Sequence, residues 1–364
     1  MLDRTDLLEL MVADVNSAPD IYKPGNFWDY LNKEQIPELR RTGLKSLRSR
    51  RLPSKLATWS VDLTPILGQI DFFNSRILHN RISRKIPLWE NLLRLFNKGL
   101  NSVIPISPYS LYDLRLEGLK MMAYECAKLW GEKVGAKSID TFSASLIGDP
   151  EDVLDVDGRV YTIPIIYFYM RYIYCSQFLN WDSVHTMVEL GGGLGRQIEI
   201  LKKLYPEITF LVYDIPPALY IQEQYLKAVF PDSVISYEDT RKYDSLNNLE
   251  NGKIYILGTR QFPLLKDTKI DLFWNAASFQ EMEPDIVANY LLYINKHTEN
   301  VFLSETMGGQ NVAKARGKTG VLQKTVLSDY TAALSNFDML DLSTTYGPFG
   351  PMLGLKDTFW VRQK

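Results

Sequence analysis

Cysteine and histidine are scarce in this chain. Its 364 residues include two cysteines, Cys126 and Cys175, and three histidines, His79, His185 and His297. Two isolated cysteines exclude a disulfide framework and any zinc spacing of paired cysteines. Both stand in apolar stretches that read as helix, so they read as small buried hydrophobes, in keeping with a reducing, cytoplasmic compartment. A long hydrophobic run is also lacking. The greasiest stretch, 163–179, falls short of the ~20 residues a spanning helix needs. It carries Arg171 and several tyrosines, and is expected to be a buried or interface helix. The first twenty residues carry acids where a secretory leader needs bases, so no leader is expected. Net charge of one sign is absent too: 41 Lys and Arg face 43 Asp and Glu. That balance disfavours a nucleic-acid partner.

Apolar residues make up 46% and charged residues 23%, a composition that can bury a substantial core. Residues 1–137 read as helical, with Leu111, Leu114, Gly118, Met122, Cys126 and Leu129 on one stripe and Trp89, Leu92, Leu93 and Phe96 on another. Residues 138–180 read as a connecting helical segment. From 181 to 364 short apolar runs alternate with amphipathic segments. "VHTMVEL", "TFLVYDIP", "KIYILGT", "IDLFWNAAS" and "NVFLSET" read as strands, with helices between them. Pro284 marks the start of one helix. "FDMLDLSTT" and "DTFWVRQK" read as a terminal antiparallel pair. The alternation predicts an α/β domain with a parallel sheet covered on both faces.

The most informative stretch is "VELGGGLGRQ", 188–197. A strand runs into glycines Gly191, Gly192, Gly193 and Gly195, then into a helix. In open α/β sheets ligands bind beyond the carboxyl ends of the strands, and glycine lets the backbone approach a ligand closely. A dinucleotide fingerprint has glycine at the sixth position, where Arg196 stands here. Glu189 would also repel a pyrophosphate. S-adenosylmethionine carries a sulfonium and an ammonium instead, which a carboxylate attracts. Glu189 therefore favours that cofactor over NAD. Asp214, ending the second strand, suits two ribose hydroxyls in either case.

These residues, together with "VYDIPPALY", "SFQEM" and the upstream "IGDPEDV", resemble the class I S-adenosylmethionine-dependent methyltransferases, and more closely the sugar O-methyltransferases among them. The resemblance runs from about Ser138 to the C-terminus. It implies a Rossmann-like methyltransferase sheet with a helical N-terminal region serving as lid, acceptor pocket or oligomer contact. It further implies that Glu189 and the glycine turn hold the methionine part, that Asp214 holds the ribose with Ile215 beside it in the cofactor site, and that adenine lies near the third strand end. That strand is "SVISYED" or "KIYILGT"; the longer and more apolar second one leads to Thr259, Arg260 and Gln261. The acceptor is expected to be a sugar-containing molecule.

A sugar hydroxyl must be aligned and relieved of its proton. His185 and His297 belong at the amino ends of strands, away from the ligand, and His79 reaches it only if the N-terminal helices fold over. Glu281 is expected as general base or hydroxyl-orienting group, with Asn275 and Glu305 assisting and Ser278 and Gln280 facing the acceptor. A helix-terminal acid ahead of Pro284 is the plainer role for Glu281. The same Glu281, Glu305 and Asn275 are alternatively a hard-oxygen set for Mg²⁺, although no compact metal motif is visible. The basic stretch 40–55, with seven cations and no acid, is a solvated helical face or a phosphate site. Tyr161, Tyr167, Tyr169, Tyr172 and Tyr174 pack the core or line a sugar pocket. An NAD-type oxidoreductase, an RNA methyltransferase and a non-catalytic binding protein of the same fold are the competing readings.

Overall fold

The computed structural model describes residues 3–45, 47–48, 108–150, 153–348 and 350–364. Two N-terminal helices, α1 (Thr5–Ser17) and α2 (Asn26–Thr42), are followed by the long α3 (Pro108–Lys133). A hairpin of β1 (Val153–Val156) and β2 (Arg159–Thr162) leads into α4 (Ile163–Cys175). The remainder alternates: β3 (Thr186–Leu190), α5 (Arg196–Leu204), β4 (Thr209–Asp214), α6 (Ala218–Val229), β5 (Val234–Ile235), the single turn α7 (Tyr237–Thr240), β6 (Ile254–Gly258), β7 (Ile270–Ala276), α8 (Pro284–His297), β8 (Thr298–Glu305), α9 (Leu327–Ala333), β9 (Phe337–Gly347) and β10 (Gly350–Arg362).

Eight strands form one sheet in the order β5-β6-β4-β3-β7-β8-β10-β9. Strands β3 to β8 pair in parallel. β10 inserts antiparallel between β8 and β9, so the terminal hairpin joins the sheet by its second strand. The parallel strands read as continuous apolar runs because both faces are covered. Every residue of β4 and of β6 is buried. Alternate residues feed two cores: Phe210 and Val212 pack toward α4, α5 and α6, whereas Leu211 and Tyr213 pack toward α8 and α9. The chain runs outward from β3 to β4 and β6, then returns to β7 on its other side. That reversal puts a crevice at the carboxyl end of β3.

Within 138–180 the structure differs from the helical expectation. The segment contains the β1–β2 hairpin as well as α4. Its turn, Asp157-Gly158, is a strong short-range hairpin signal, since both residues adopt positive φ (52° and 78°). The stripe expected on α3 also faces differently over its described side chains. Met122 is 45% exposed and Leu129 61%, while Ala123, Tyr124 and Ala127 are buried. Close approach decides the face here: a Cβ on Gly131 would stand 2.6 Å from the Tyr169 hydroxyl of α4. Small residues let the two helices meet, and the larger apolar side chains are left outside. Trp89, Leu92, Leu93 and Phe96 lie outside the described residues.

The five tyrosines near α4 go to packing. Tyr161 donates to the carbonyls of Ile139 and Phe142, and Tyr169 to that of Lys137. Tyr172 meets Tyr205, and Tyr174 donates to Asp341. The Tyr167 ring lies against Gly347. Cys175 is buried and Cys126 partly so, both as free thiols. Of the basic stretch, Arg40 pairs with Glu9, Arg41 with Glu38, and buried Arg48 donates to the carbonyls of Ser145 and Ile147. No helix among the described residues is long and apolar enough to cross a membrane.

Candidate functional site

The glycine turn caps the crevice at the end of β3. Gly191, Gly193 and Gly195 adopt φ of 75°, 60° and 91°, the left-handed region that glycine alone enters freely. The Gly191 N–H donates to the Tyr213 carbonyl at 2.9 Å, so the turn is pinned to β4. A Cβ on Gly191 would run into the Ser278 hydroxyl, and one on Gly192 into Glu189. The turn is therefore packed from both sides.

Beside it lies a cavity of about 250 Å³. Gly191 and Gly193 form one wall, and Asp214, Ile215 and Thr259 a second. Ser278 and Glu281 form the third. Asp214 accepts from the backbone N–H of Gly193 at 3.2 Å and of Ile215 at 2.8 Å. Burial pushes its carboxyl up to about 7. Burial also pushes Glu281 up to about 8, aided by the charge of Glu305, while the Trp28 indole N–H, 3.0 Å from Glu281 Oε2, acts in the opposite direction.

Glu189 lies beneath the turn and does not line the cavity, although the resemblance implies that it holds the methionine part. It is almost fully buried, and its Oε2 has no hydrogen-bond partner. Burial first, and then the charge of Asp214, push it up to about 8. Gln222, next to the same turn, also keeps both side-chain polar atoms unpartnered. A positively charged ligand end at the turn fits this arrangement, because it would favour the ionised form of Glu189.

The remaining expected residues are close by but point elsewhere. Asn275 donates to the Leu190 carbonyl at 2.8 Å and accepts from the Phe279 N–H at 3.0 Å. Glu305, fully buried, accepts from the N–H groups of Ser278 and Gln280. Gln280 accepts from the Thr306 N–H and hydroxyl. Gln261 accepts from the Gly258 N–H and donates to the Thr240 carbonyl. None of these four lines the cavity. They brace the loops that do, because buried backbone groups at strand ends need partners. Gly192 and Gly195 likewise face Glu189, Gln222 and Leu226. Asn275 and Glu305 are engaged with backbone groups, and no cluster of three or more His, Cys, Asp or Glu suited to a metal occurs among the described residues. His185 and His297 lie at the amino ends of β3 and β8, and His79 lies outside the described residues.

Sequence reasoning missed the roof of the cavity. Lys23, Pro24, Gly25 and Trp28 close it from the N-terminal side, and Tyr290 of α8 closes it from below. The roof is fastened at both ends. The Thr259 hydroxyl donates to the Tyr22 carbonyl at 2.7 Å. Asn26 donates to the carbonyls of Lys318 and Gly320 and accepts from the Gly317 N–H. The available signal was "YKPGNFW", a Pro-Gly break ahead of a highly charged helix that carries a tryptophan in its first turn.

Residues 173–244 match the family model described as an O-methyltransferase domain. No curated protein matches the chain. Among solved structures the chain is similar to a mitomycin 7-O-methyltransferase (13% identity, 53% of this chain and 57% of that one, TM-score 0.35). It is also similar to an O-methyltransferase from neocarzinostatin biosynthesis solved with S-adenosyl-L-homocysteine and 1,4-dihydroxy-2-naphthoic acid (12%, 55% and 56%, TM-score 0.37). A third is magnesium protoporphyrin IX methyltransferase from Synechocystis PCC 6803 (12%, 53% and 80%, TM-score 0.35). The chain spans little more than half the length of the first two. The fold assignment rests on the strand order described above.

Proposed function

We propose that this protein transfers the methyl group of S-adenosylmethionine to a hydroxyl of a sugar-containing acceptor. One observation carries the cofactor reading: the glycine turn at the β3 switch point is flanked by two buried carboxyls, Glu189 and Asp214. The O-methyltransferase match over 173–244, which contains both acids, supports it. A cationic ligand end favours ionisation of these two acids, whereas a pyrophosphate would oppose it, which disfavours the NAD reading.

Gly191 and Gly193 would hold the methionine end, with Glu189 beneath them stabilising its positive charge. Asp214 would accept from the ribose hydroxyls, and Thr259 and Ile215 would flank the base. When bound, the cofactor supplies an electrophilic methyl group. Glu281 stands across the cavity from Asp214 and takes the acceptor proton, at a pKa close to neutrality that suits a general base. The roof from Lys23 to Trp28 keeps water out of the transfer. A sugar acceptor is supported by the hydrogen-bonding side chains of Asn16, Asn32 and Glu283, which line the cleft beyond this cavity.

Calorimetry tests the reading directly. S-adenosylhomocysteine is expected to bind and NAD is not. Radiolabelled methyl transfer to a panel of sugars then tests the acceptor. Uptake of NAD with no binding of S-adenosylhomocysteine refutes the proposal.

A further inference from the structure

A second, larger cleft of about 1050 Å³ opens above the roof, between α1, α2 and the start of α8. It shares Lys23, Pro24, Gly25 and Ile286 with the smaller cavity, so the two adjoin along the roof, whose opening would admit an acceptor hydroxyl to the cofactor. We propose that this cleft is the acceptor subsite, and that it takes an uncharged glycan of more than one sugar residue through hydroxyl donors. The inference rests on the methyl-transfer reading above.

Three observations converge on it. The first is two wall oxygens that have no donor among the described residues. Asn32 donates its Nδ2 to the Pro216 carbonyl at 3.0 Å, and its Oδ1 is buried and unpartnered. Glu283 accepts from the Leu322 N–H through Oε1 at 3.0 Å, and its Oε2 is buried and unpartnered. An unsatisfied buried acceptor costs roughly 1–3 kcal/mol. A hydroxyl donor relieves it, and sugars present many.

The second observation is charge. Three of the cations in the wall are already neutralised: Lys23 by Asp20, Lys33 by Asp29 and Arg40 by Glu9. Arg316 is the fourth, so among the described residues the wall presents one cation outside an ion pair rather than the cationic cluster that a diphosphate needs, which favours a neutral glycan over a nucleotide-sugar. The third is shape and composition. Among the described residues the wall contains no phenylalanine, tyrosine or tryptophan, so its contacts to a ligand are polar and aliphatic rather than stacked. Its volume stands at the upper end of the roughly 300–1,000 Å³ that holds drug-sized ligands. One sugar ring would leave most of it empty.

The test uses the full chain. Saturation-transfer NMR and calorimetry measure binding of maltotetraose, cellotetraose and chitotetraose, of the matching monosaccharides, and of UDP-glucose, with and without S-adenosylhomocysteine. At least one tetrasaccharide is expected to bind tenfold or more tightly than its monosaccharide and than UDP-glucose. Asn32→Ala and Glu283→Gln are each expected to weaken that binding at least fivefold, with affinity for S-adenosylhomocysteine unchanged within twofold. Should Asn32→Ala not fold, Glu283→Gln carries the test, because it turns an acceptor oxygen into a donor at constant shape. Failure of all three tetrasaccharides, tighter binding of UDP-glucose, or variants that bind like the wild type each overturn the subsite. Failure of S-adenosylhomocysteine to bind, with glycan binding intact, instead overturns the methyl-transfer reading and leaves a glycan-binding cleft.

Discussion

Trp28 donates its indole N–H to Glu281 at 3.0 Å, joining residues 253 positions apart. The bond favours the ionised carboxylate, against burial and the neighbouring charge of Glu305, which together push Glu281 up to about 8. A base must be ionised to act, so kcat/KM is expected to rise with pH and level off above about 8. Trp28→Phe removes the donor and should move that limb to higher pH by a fraction of a unit to one unit. A pH–rate profile identical to wild type would show that Trp28 does not tune Glu281.

Glu281→Gln keeps the shape and removes the base. Turnover should fall on the order of 10²- to 10⁴-fold, while affinity for S-adenosylhomocysteine stays within about threefold. Turnover close to wild type would remove Glu281 from the mechanism.

Glu189 ties binding to stability. Its folded value of about 8 lies above the ordinary carboxylate range. A raised value means that its contribution is intact below the ordinary value and is lost as pH climbs through about 8. Glu189→Gln should therefore raise the melting temperature of the ligand-free protein by a few degrees at pH 9 and leave it unchanged near pH 4. The same substitution should weaken S-adenosylmethionine at least tenfold at pH 8. Thermal scans at the two pH values and titration calorimetry read both effects; equal melting shifts at both pH values contradict the linkage.

Gly191→Ala puts a methyl group into the Ser278 side chain at a φ of 75°. Ser278→Ala cannot rescue it, since the Ser278 Cβ is itself 2.5 Å from the added atom. Binding of S-adenosylhomocysteine should become undetectable by calorimetry. Retained micromolar affinity would mean that the turn does not approach the cofactor.

Asn275→Ala separates support from chemistry. Two buried backbone groups lose their partner, at a cost of about 1–3 kcal/mol each. Melting temperature, cofactor affinity and turnover should all decline. A variant with wild-type stability and a large loss of turnover alone would restore Asn275 to a direct catalytic role.

The sheet was legible because parallel strands buried on both faces must be apolar throughout, as "TFLVYD" and "IYILG" are. The choice of "KIYILGT" as the strand that delivers Thr259 to the cavity followed from the same rule, with "SVI" reduced to a two-residue edge strand. Gly191, Gly193, Asp214, Ile215, Thr259, Ser278 and Glu281 were legible as residues at strand ends. Whether a side chain there turns into the crevice or braces a neighbouring loop depends on which backbone groups lack partners. Asn275, Gln261 and Glu305 show that this is invisible in a linear string. The roof was hidden for another reason. Trp28 reaches Glu281 because Tyr22 and Asn26 fasten the roof to distant segments, and no local periodicity records contacts across more than two hundred residues.

The clasp that Asn26 makes with residues 317–320 has a kinetic corollary. A nucleoside lodged under Pro24 and Trp28 has its route to solvent barred by three hydrogen bonds from one side chain. On the methyl-transfer reading, peeling that clasp is expected to set how long spent product lingers, independently of how fast the methyl moves. Asn26 would then act as a timer, and a first turnover faster than the steady rate would be its signature.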